Sequence, residues 1–436
     1  MEPFPDAIQF SNSDIRPVPR DVKATKRRFY SNNGSSFSQA GSEIRIPISG
    51  NFLLSNKDAS LVMTSTYTVV AAGATTCTID FSLFSQFQQI RIESAGQILE
   101  QIDEPGVLYN TMSQWNWGIS DITKNNGRQS SMQDLPAPTT GVLNKNGEAL
   151  TTATANYSSL PLSELMGIFS GDKCVPLMGT SGLTLVLTLG TLGARAVYSA
   201  ATADTMTVSD IYVTATCIEA GPDYDKALAA VKSGNQFNEV SILMKTAKRY
   251  VGAIATGAQT NAQIQVNDRS KSALAVWTVG RKTSDINLAT AFSTSSSTFP
   301  TYVNHSMIIN GMNFPSAQIN TLGELSEESL KVANDWRKQC PDNWQQGGLV
   351  NRVTLTDGGS GNEATATGAT CCLAVNLSKQ NYDDTMFGAG YDLSTSNSPN
   401  VFQVSYTPAA ASTLNVYVIA QALLHVNGLG QFSTEI

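Results

Sequence analysis

The sequence is poor in charged residues and in histidine. Charged side chains make up 14% of its 436 residues, whereas about 25% is usual for a soluble domain. The net charge is −7, which argues against a basic nucleic-acid-binding protein. Serine, threonine, asparagine, glutamine and glycine take the place of the missing charge. This composition is typical of a β-rich protein with many turns and with much of its surface covered by partners.

Long apolar runs and patterned cysteines are also lacking. No uninterrupted apolar stretch approaches the ~20 residues that span a bilayer. The N-terminus has no basic segment followed by an apolar one, so no secretory signal is expected. The six cysteines form no C-x-x-C pair and have no histidine at ligand spacing, which argues against a zinc site. We therefore expect reduced thiols and an intracellular place of synthesis.

Motifs of catalysis and cofactor binding are missing too. There is no G-x-S-x-G elbow, although the residues of a triad can also assemble from distant positions. The two histidines, His305 and His425, are interpreted as hydrogen-bonded residues of strands. Trp115 and Trp117 flank Asn116, and a core anchor is favoured over a sugar-binding platform. We predict no catalytic, cofactor-binding or metal site, no cofactor and no small-molecule substrate.

The stretch Gly182-Leu-Thr-Leu-Val-Leu-Thr-Leu-Gly190 alternates without a break. As a strand, it turns its four leucines towards a core and Thr184, Val186 and Thr188 the other way. This second face carries no charge. We expect either a second barrel or another subunit to cover it, the alternative being a threonine-rich face in solvent.

Periodicity divides the chain into a polar arm, residues 1–40, and two β-rich halves. Regular structure is expected to begin with a strand at 43–49. A hairpin at 87–102 turns at Ala95-Gly96, and a short helix with Leu108, Met112 and Trp115 on one face follows it. A long aperiodic loop covers 118–159. The strands expected in the first half are 43–49, 60–71, 75–83, 87–102, 161–170, 182–190 and 206–219.

The second half repeats this order after a break at Gly221-Pro222, where a linker helix is expected over 224–234. A helix within 322–338 and a glycine-rich loop at 355–369 interrupt its strands. The strands expected there are 239–254, 261–267, 272–281, 302–311, 370–377, 400–406 and 412–427. Helices are too few for parallel-sheet crossovers. We therefore predict an all-β fold of two tandem jelly-roll β-barrels, 41–221 and 222–436.

Four ordered stretches resemble a known family: 42–49, 87–103, 160–177 and 208–219. The residues of these stretches, and their order along the chain, resemble those of the double jelly-roll major capsid proteins of tailless icosahedral DNA viruses. The resemblance is to those of Polinton-like viruses and virophages in particular. The resemblance spans about residues 41–430. It implies a structural, non-enzymatic subunit of the virion capsid that trimerises into a pseudo-hexagonal capsomer and builds an icosahedral shell.

The resemblance also implies partners. These are further copies of the chain, neighbouring trimers, and penton and minor capsid proteins. The N-terminal arm would lie inside the shell, where Lys23, Lys26, Arg27 and Arg28 would contact an internal membrane, the genome or acidic patches of neighbouring trimers. The alternative for these cations is a solvated charge run at a frayed terminus. For the whole chain, the alternatives are a β-sandwich adhesin or lectin and a jelly-roll enzyme that acts on glycans.

Overall fold

The computed structural model of the chain describes most of both β-rich halves. The described residues are 22–55, 58–68, 76–78, 82–116, 150–151, 155–171, 173–191, 197–198, 205–219, 221, 239–257, 260–286, 288, 294, 297–337, 371–379, 387–395 and 398–436. Four features of the sequence analysis lie outside the described residues. These are the predicted linker helix, Trp117, the glycine-rich loop at 355–369 and most of the loop at 118–159.

The described residues form twenty-three strands and two α-helices. Strands β1 to β14 are Lys23–Tyr30, Ser36–Phe37, Glu43–Ile48, Leu53–Leu54, Ser60–Thr68, Thr76–Thr78, Phe87–Ser94, Gln97–Asp103, Leu150–Thr151, Ala155–Pro161, Val175–Pro176, Leu183–Leu189, Val197–Tyr198 and Thr205–Glu219. Strands β15 to β23 are Glu239–Ile254, Thr260–Val266, Ala273–Lys282, Asn304–Ile309, Met312–Ile319, Cys372–Asn376, Asn400–Tyr406, Ser412–Asn427 and Phe432–Glu435. The helices are α1, Pro105–Asn116, and α2, Leu322–Arg337.

The first half is a jelly roll of eight main strands. One antiparallel sheet has the order β1-β14-β5-β10, and the other has the order β3-β12-β7-β8. Counted along the chain, these orders are first-eighth-third-sixth and second-seventh-fourth-fifth. That connectivity is the one that two interleaved Greek keys produce. Strands β2, β4 and β11 extend the first sheet, and β13-β6-β9 form a small separate one.

The second half repeats the same strand order. Its sheets are β15-β22-β17-β20 and β16-β21-β18-β19, and β23 pairs with β22. The predicted fold class, two jelly rolls in tandem, is confirmed. The predicted boundary after residue 221 adjoins 222–238, which lie outside the described residues, so the placing of that boundary stays a prediction.

The leucine strand, β12, builds the core of the first jelly roll as predicted. All four of its leucines are buried. Leu183, Leu185 and Leu187 lie in register with isoleucines of β3 on one side. On the other side, Leu185 and Leu187 lie in register with Ile92 and Ile90 of β7. Alternation in three adjacent strands therefore places one continuous aliphatic layer inside the barrel.

The centre of the opposite face of β12 is covered by its own sheet. Val186, which is 0% exposed, lies in register between Arg45 of β3 and Arg91 of β7. These two arginines form four ion pairs with Glu43 and Glu93, with N···O distances of 3.0, 2.5, 2.7 and 2.6 Å. Thr184 and Thr188, on the same face, are half-buried, so cover of this face by a second barrel or another subunit stays a prediction. Strand β12 has no charged side chain on this face, whereas β3 and β7 on either side of it do.

The helices and the hairpin agree with their predictions. Helix α1 buries Leu108, Met112 and Trp115, and α2 falls within the predicted range. The turn between β7 and β8 places Ala95 and Gly96 at φ 49° and 84°, the left-handed values that a tight two-residue hairpin turn requires.

Four segments differ from their predictions. Among the described residues, regular structure begins at Lys23 and not at Glu43, because β1 lies inside the predicted arm. Residues 161–170, predicted as a strand, mostly form two 3₁₀ turns at Leu162–Glu164 and Gly167–Phe169. The last part of the predicted loop is strand β10. Strand β19 was missed, since five of its eight residues are exposed and it contains a proline, Pro315.

Candidate functional site

The two histidines are hydrogen-bonded strand residues, as the sequence suggested. His305 is buried, its Nε2 donates to the carbonyl of Ala374 (2.9 Å), and its Nδ1 lies 2.7 Å from the Tyr302 hydroxyl. Burial lowers the pKa of His305 to about 4, so the ring is neutral at pH 7. His425 contacts Ser241, its partner across β15 and β22, at 2.9 Å.

Within the described ranges, no group of three or more His, Cys, Asp or Glu side chains is arranged to hold a metal ion. Nor is any helix there long and apolar enough to cross a membrane. The cysteines that the structure describes with their side chains, Cys174, Cys217, Cys371 and Cys372, are free thiols.

The four predicted contact cations all lie in strand β1. Its eight residues pair with β14 from Lys23↔Glu219 to Tyr30↔Tyr212. A strand turns alternate side chains to opposite faces, so Lys23 and Arg27 lie on one face of the sheet and Lys26 and Arg28 on the other. The four cations that were predicted as one set of contact residues therefore form two pairs on opposite faces of the sheet.

Lys23 and Arg27 form the inner pair. Contacts within the chain hold the side chain of Arg27 in place. Its guanidinium lies 4.9 Å from the ring centroid of Phe52 and forms an ion pair with Glu219. Phe29, two residues on, also packs against Phe52, with ring centroids 6.0 Å apart. These contacts attach β1 to the jelly roll and make Arg27 a structural residue.

Lys26 and Arg28 form the outer pair. Together with Tyr30 and Tyr212 they make up a surface that we call the β1 face. Lys26 and Arg28 are exposed, and Tyr30 is 57% exposed. The Arg28 guanidinium lies 5.0 Å from the Tyr212 ring, and the two tyrosine rings are 5.3 Å apart. An arginine stacked on an aromatic ring beside an exposed lysine, at a sheet edge, forms a surface suited to acidic partners.

A second candidate site is the seam, the contact between the two jelly rolls. It is formed by β8, α1 and the turn Gly167–Phe169 of the first jelly roll against β15, β17 and β22 of the second. A Cβ atom at Gly167 would lie 2.1 Å from the carbonyl oxygen of Lys245. Only glycine allows the turn to approach strand β15 this closely.

Glu100 of β8 is the buried acid of the seam. Its carboxylate accepts hydrogen bonds from the backbone N–H groups of Gly167 (2.8 Å) and Ile168 (3.1 Å), and from the side chain of Thr246 in β15. Burial raises the pKa of Glu100 to about 7, although these three donors act in the opposite direction. One ionisable group thus links three segments from both jelly rolls.

Glu104, which follows β8, links the first jelly roll to three strands of the second. Its carboxylate pairs with Arg249 of β15 at 3.3 Å and with the buried Arg281 of β17. Its backbone carbonyl accepts a hydrogen bond from the hydroxyl of Tyr417 in β22 (3.3 Å). Arg249 also donates to Asn415, with N···O distances of 2.9 and 2.6 Å.

Apolar packing completes the seam. The indole N–H of Trp277 donates to the hydroxyl of Thr111 in α1 (3.1 Å), and Trp277 packs edge-on against Trp115 at 6.4 Å. Trp115 is therefore a core anchor, as predicted, but its partner belongs to the other jelly roll. The seam has the character of a protein core, so the two jelly rolls form one unit.

Sequence reasoning missed Glu100, Glu104, Arg249 and Arg281. The available signal was their rarity, since a charged residue in or next to a strand of a chain this poor in charge needs a partner when it is buried. The identity of that partner was not accessible, because Arg249 and Arg281 lie 145 and 177 residues from Glu104 in the sequence.

No family model matches the chain, and no curated protein matches it in sequence. Solved viral capsid proteins do match it in structure. The chain is similar to PBCV-1 VP54, fitted into a reconstruction of the virophage Sputnik, with a TM-score of 0.60 and 12% identity over 97% of this chain and 98% of that one.

Two further similarities have the same extent. For the Faustovirus major capsid protein the TM-score is 0.59 and the identity 9%, over 95% of this chain and 92% of that one. For the mavirus major capsid protein the TM-score is 0.54 and the identity 8%, over 99% of this chain and 94% of that one. At identities this low, the similarities show a shared fold. The double jelly roll that the sequence resemblance implied is confirmed at that level.

Proposed function

We propose that the chain is a major capsid protein, a structural subunit and not an enzyme, which trimerises into a pseudo-hexagonal capsomer of an icosahedral virus shell. One observation carries this proposal. The chain repeats a single jelly-roll strand order in two halves that a core-like seam joins. Solved capsid proteins share this architecture over nearly the whole length of both chains.

The repeated jelly roll supports a trimer in particular. Two similar barrels in one chain occupy two positions of a pseudo-sixfold ring, so three copies complete a six-barrel block. A head-to-tail contact closes into a ring when its rotation divides a full turn. The firm seam supports this role, since it fixes the angle between the two barrels of each copy.

The proposed partners are further copies of the chain, neighbouring trimers, penton and minor capsid proteins, and the proposed location is the virion capsid after synthesis in the host cell. Of the predicted contact cations, Lys26 and Arg28 are proposed for assembly because they lie on the β1 face. Arg27 is assigned to holding β1 in place. The adhesin or lectin alternative gains no support from the structural similarities.

Mass and shape test the proposal directly. Size exclusion coupled to light scattering is expected to give a particle of three chains, each of 46.5 kDa, at micromolar concentration. Negative-stain microscopy is expected to show hexagonal blocks. A monomer that binds or cleaves sugars would contradict the proposal and favour the adhesin or the glycan-active enzyme.

A further inference from the structure

We infer that the three copies join by repeating, between chains, the seam that each chain contains. In this arrangement β1 of one copy takes the place of β15, and β19 with the start of α2 of the next copy takes the place of β8 and α1. The inference rests on the proposed trimer and identifies the surfaces that form it.

Strand equivalence is the first support. β1 and β15 are the first strands of the two jelly rolls, and β8 and β19 are the fifth. Inside the chain, the fifth strand of the first jelly roll packs against the first strand of the second. The remaining first strand, β1, and the remaining fifth strand, β19, each lie at the edge of their sheet. A ring of six equivalent barrels requires these two edges to meet between copies.

Exposure of these two edges is the second support. Seven of the eight residues of β1 are exposed. Five of the eight residues of β19 are exposed, among them Met312 at 57%. Long exposed edge strands invite pairing or packing with another chain. Tyr30 and Met312 supply the large apolar side chains that commonly anchor the centre of a protein interface.

Charge is the third support. In the seam, an acid that follows the fifth strand, Glu104, binds an arginine of the first strand, Arg249. The free edges repeat this distribution: β1 carries Lys26 and Arg28, and helix α2, which follows β19, carries Glu324 and Glu327. Both glutamates are exposed.

The glutamates of α2 are available for a partner. Glu324 lies in the first turn of the helix, where Thr321 caps its N–H at 3.2 Å. Glu327 has a side chain that is 67% exposed, and its ion pair is a surface pair with Lys331 at 2.9 Å, four residues on. Such exposed pairs contribute little, so a second cation can share or replace them.

The occupant of the β1 face is therefore a second copy of this chain. A charge-reversal series tests this. Lys26→Glu with Arg28→Glu should raise the concentration at which the trimer dissociates by about a hundredfold, because like charges then face each other. Glu324→Lys with Glu327→Lys should do the same. A chain with all four substitutions should regain most of the lost affinity, since every contact between copies is complementary again.

Two controls accompany the series. Lys282→Glu with Lys379→Glu makes the same change in net charge at exposed positions outside these edges, and it should leave the trimer intact. Circular dichroism and thermal unfolding establish that each variant is folded. A second measurement needs no variant: carbodiimide coupling of a mixture of ¹⁴N- and ¹⁵N-labelled chains should yield a mixed-isotope peptide that joins Lys26 to Glu324 or Glu327.

The outcomes separate this inference from the proposed function. A wild-type monomer would refute the trimer itself. A wild-type trimer that survives both charge reversals, with no mixed-isotope crosslink, would leave the trimer standing and overturn this inference. Loss of binding to anionic vesicles on Lys26→Glu with Arg28→Glu, with the trimer unchanged, would assign the β1 face to a membrane surface and overturn it as well.

Discussion

Replacing Glu100 by glutamine should change how the stability of the protein depends on pH. The pKa of Glu100 rises from 4.5 to about 7 on folding because the carboxyl group is buried in the seam. The folded chain thus binds a proton more tightly than the unfolded chain. This group's contribution to stability is therefore fully present below pH 4.5 and is lost as the pH rises through 7.

The magnitude follows from the size of the shift. One pKa unit corresponds to about 1.4 kcal/mol, so titration of Glu100 should lower the free energy of unfolding by about 3 kcal/mol between pH 4.5 and pH 9. Glu100→Gln removes that titration. The carboxamide oxygen can still accept from the N–H of Gly167 or of Ile168.

His305 acts in the opposite direction over part of this range. Its pKa falls from 6.5 to about 4 on folding because the ring is buried. Stability from this group is present above pH 6.5 and is lost on acidification towards pH 4. The two effects offset each other in the wild type between about pH 4.5 and 6.5, so the informative quantity is the difference between wild type and Glu100→Gln.

The assay is urea unfolding at fixed protein concentration from pH 5 to 9, for wild type, Glu100→Gln and Thr246→Val. Wild type should lose about 3 kcal/mol relative to Glu100→Gln as the pH rises. Thr246→Val removes one donor to the carboxylate and should move that loss to higher pH. A difference between wild type and Glu100→Gln that stays constant across this range would refute the assignment of Glu100 as the titrating group of the seam.

Three further results are expected. Deleting residues 1–21 should leave thermal unfolding, followed by circular dichroism, unchanged, whereas deleting 1–28 should lower the midpoint because it removes most of β1; equal midpoints would show that β1 adds nothing to the sheet. Leu187→Ala in the buried core should cost about 2–5 kcal/mol in urea unfolding, and a cost near zero would contradict its place in the core. Glu104→Ala removes the carboxylate that pairs with the buried Arg281 and should cost about 3–5 kcal/mol by the same measurement; Glu43→Ala, in the half-buried network beside β12, is the matched control and should cost less.

Local periodicity in the sequence was sufficient for the core and for several elements. The alternation of β12, the Ala95-Gly96 turn and the helical spacing of Leu108, Met112 and Trp115 each depend on neighbouring residues alone, and each prediction agrees with the structure. The resemblance to double jelly-roll capsid proteins likewise predicted the fold. Such patterns succeed because a strand or helix that buries one face must repeat its apolar residues with its own period.

Strand β1 shows where that reasoning ends. Its sequence, Lys-Ala-Thr-Lys-Arg-Arg-Phe-Tyr, has no apolar alternation, so the arm was predicted to lack regular structure. The segment is a strand because β14 pairs with all eight of its residues. In addition, Arg27 stacks on the ring of Phe52 and forms an ion pair with Glu219. Pairing partners that lie far away in sequence can override weak local preference.

The candidate site was decided almost wholly by tertiary structure. The sequence by itself determined that the cations cluster near the N-terminus and that β12 carries no charge. Only the folded chain sends Arg27 to one face of the sheet and Arg28 to the other, covers Val186 with the arginines of β3 and β7, and brings Glu104 to Arg249 and Arg281. The physical reason is that a buried charge is stable only beside its partner, and the approach of two segments distant in the chain is fixed by the packing of both jelly rolls together.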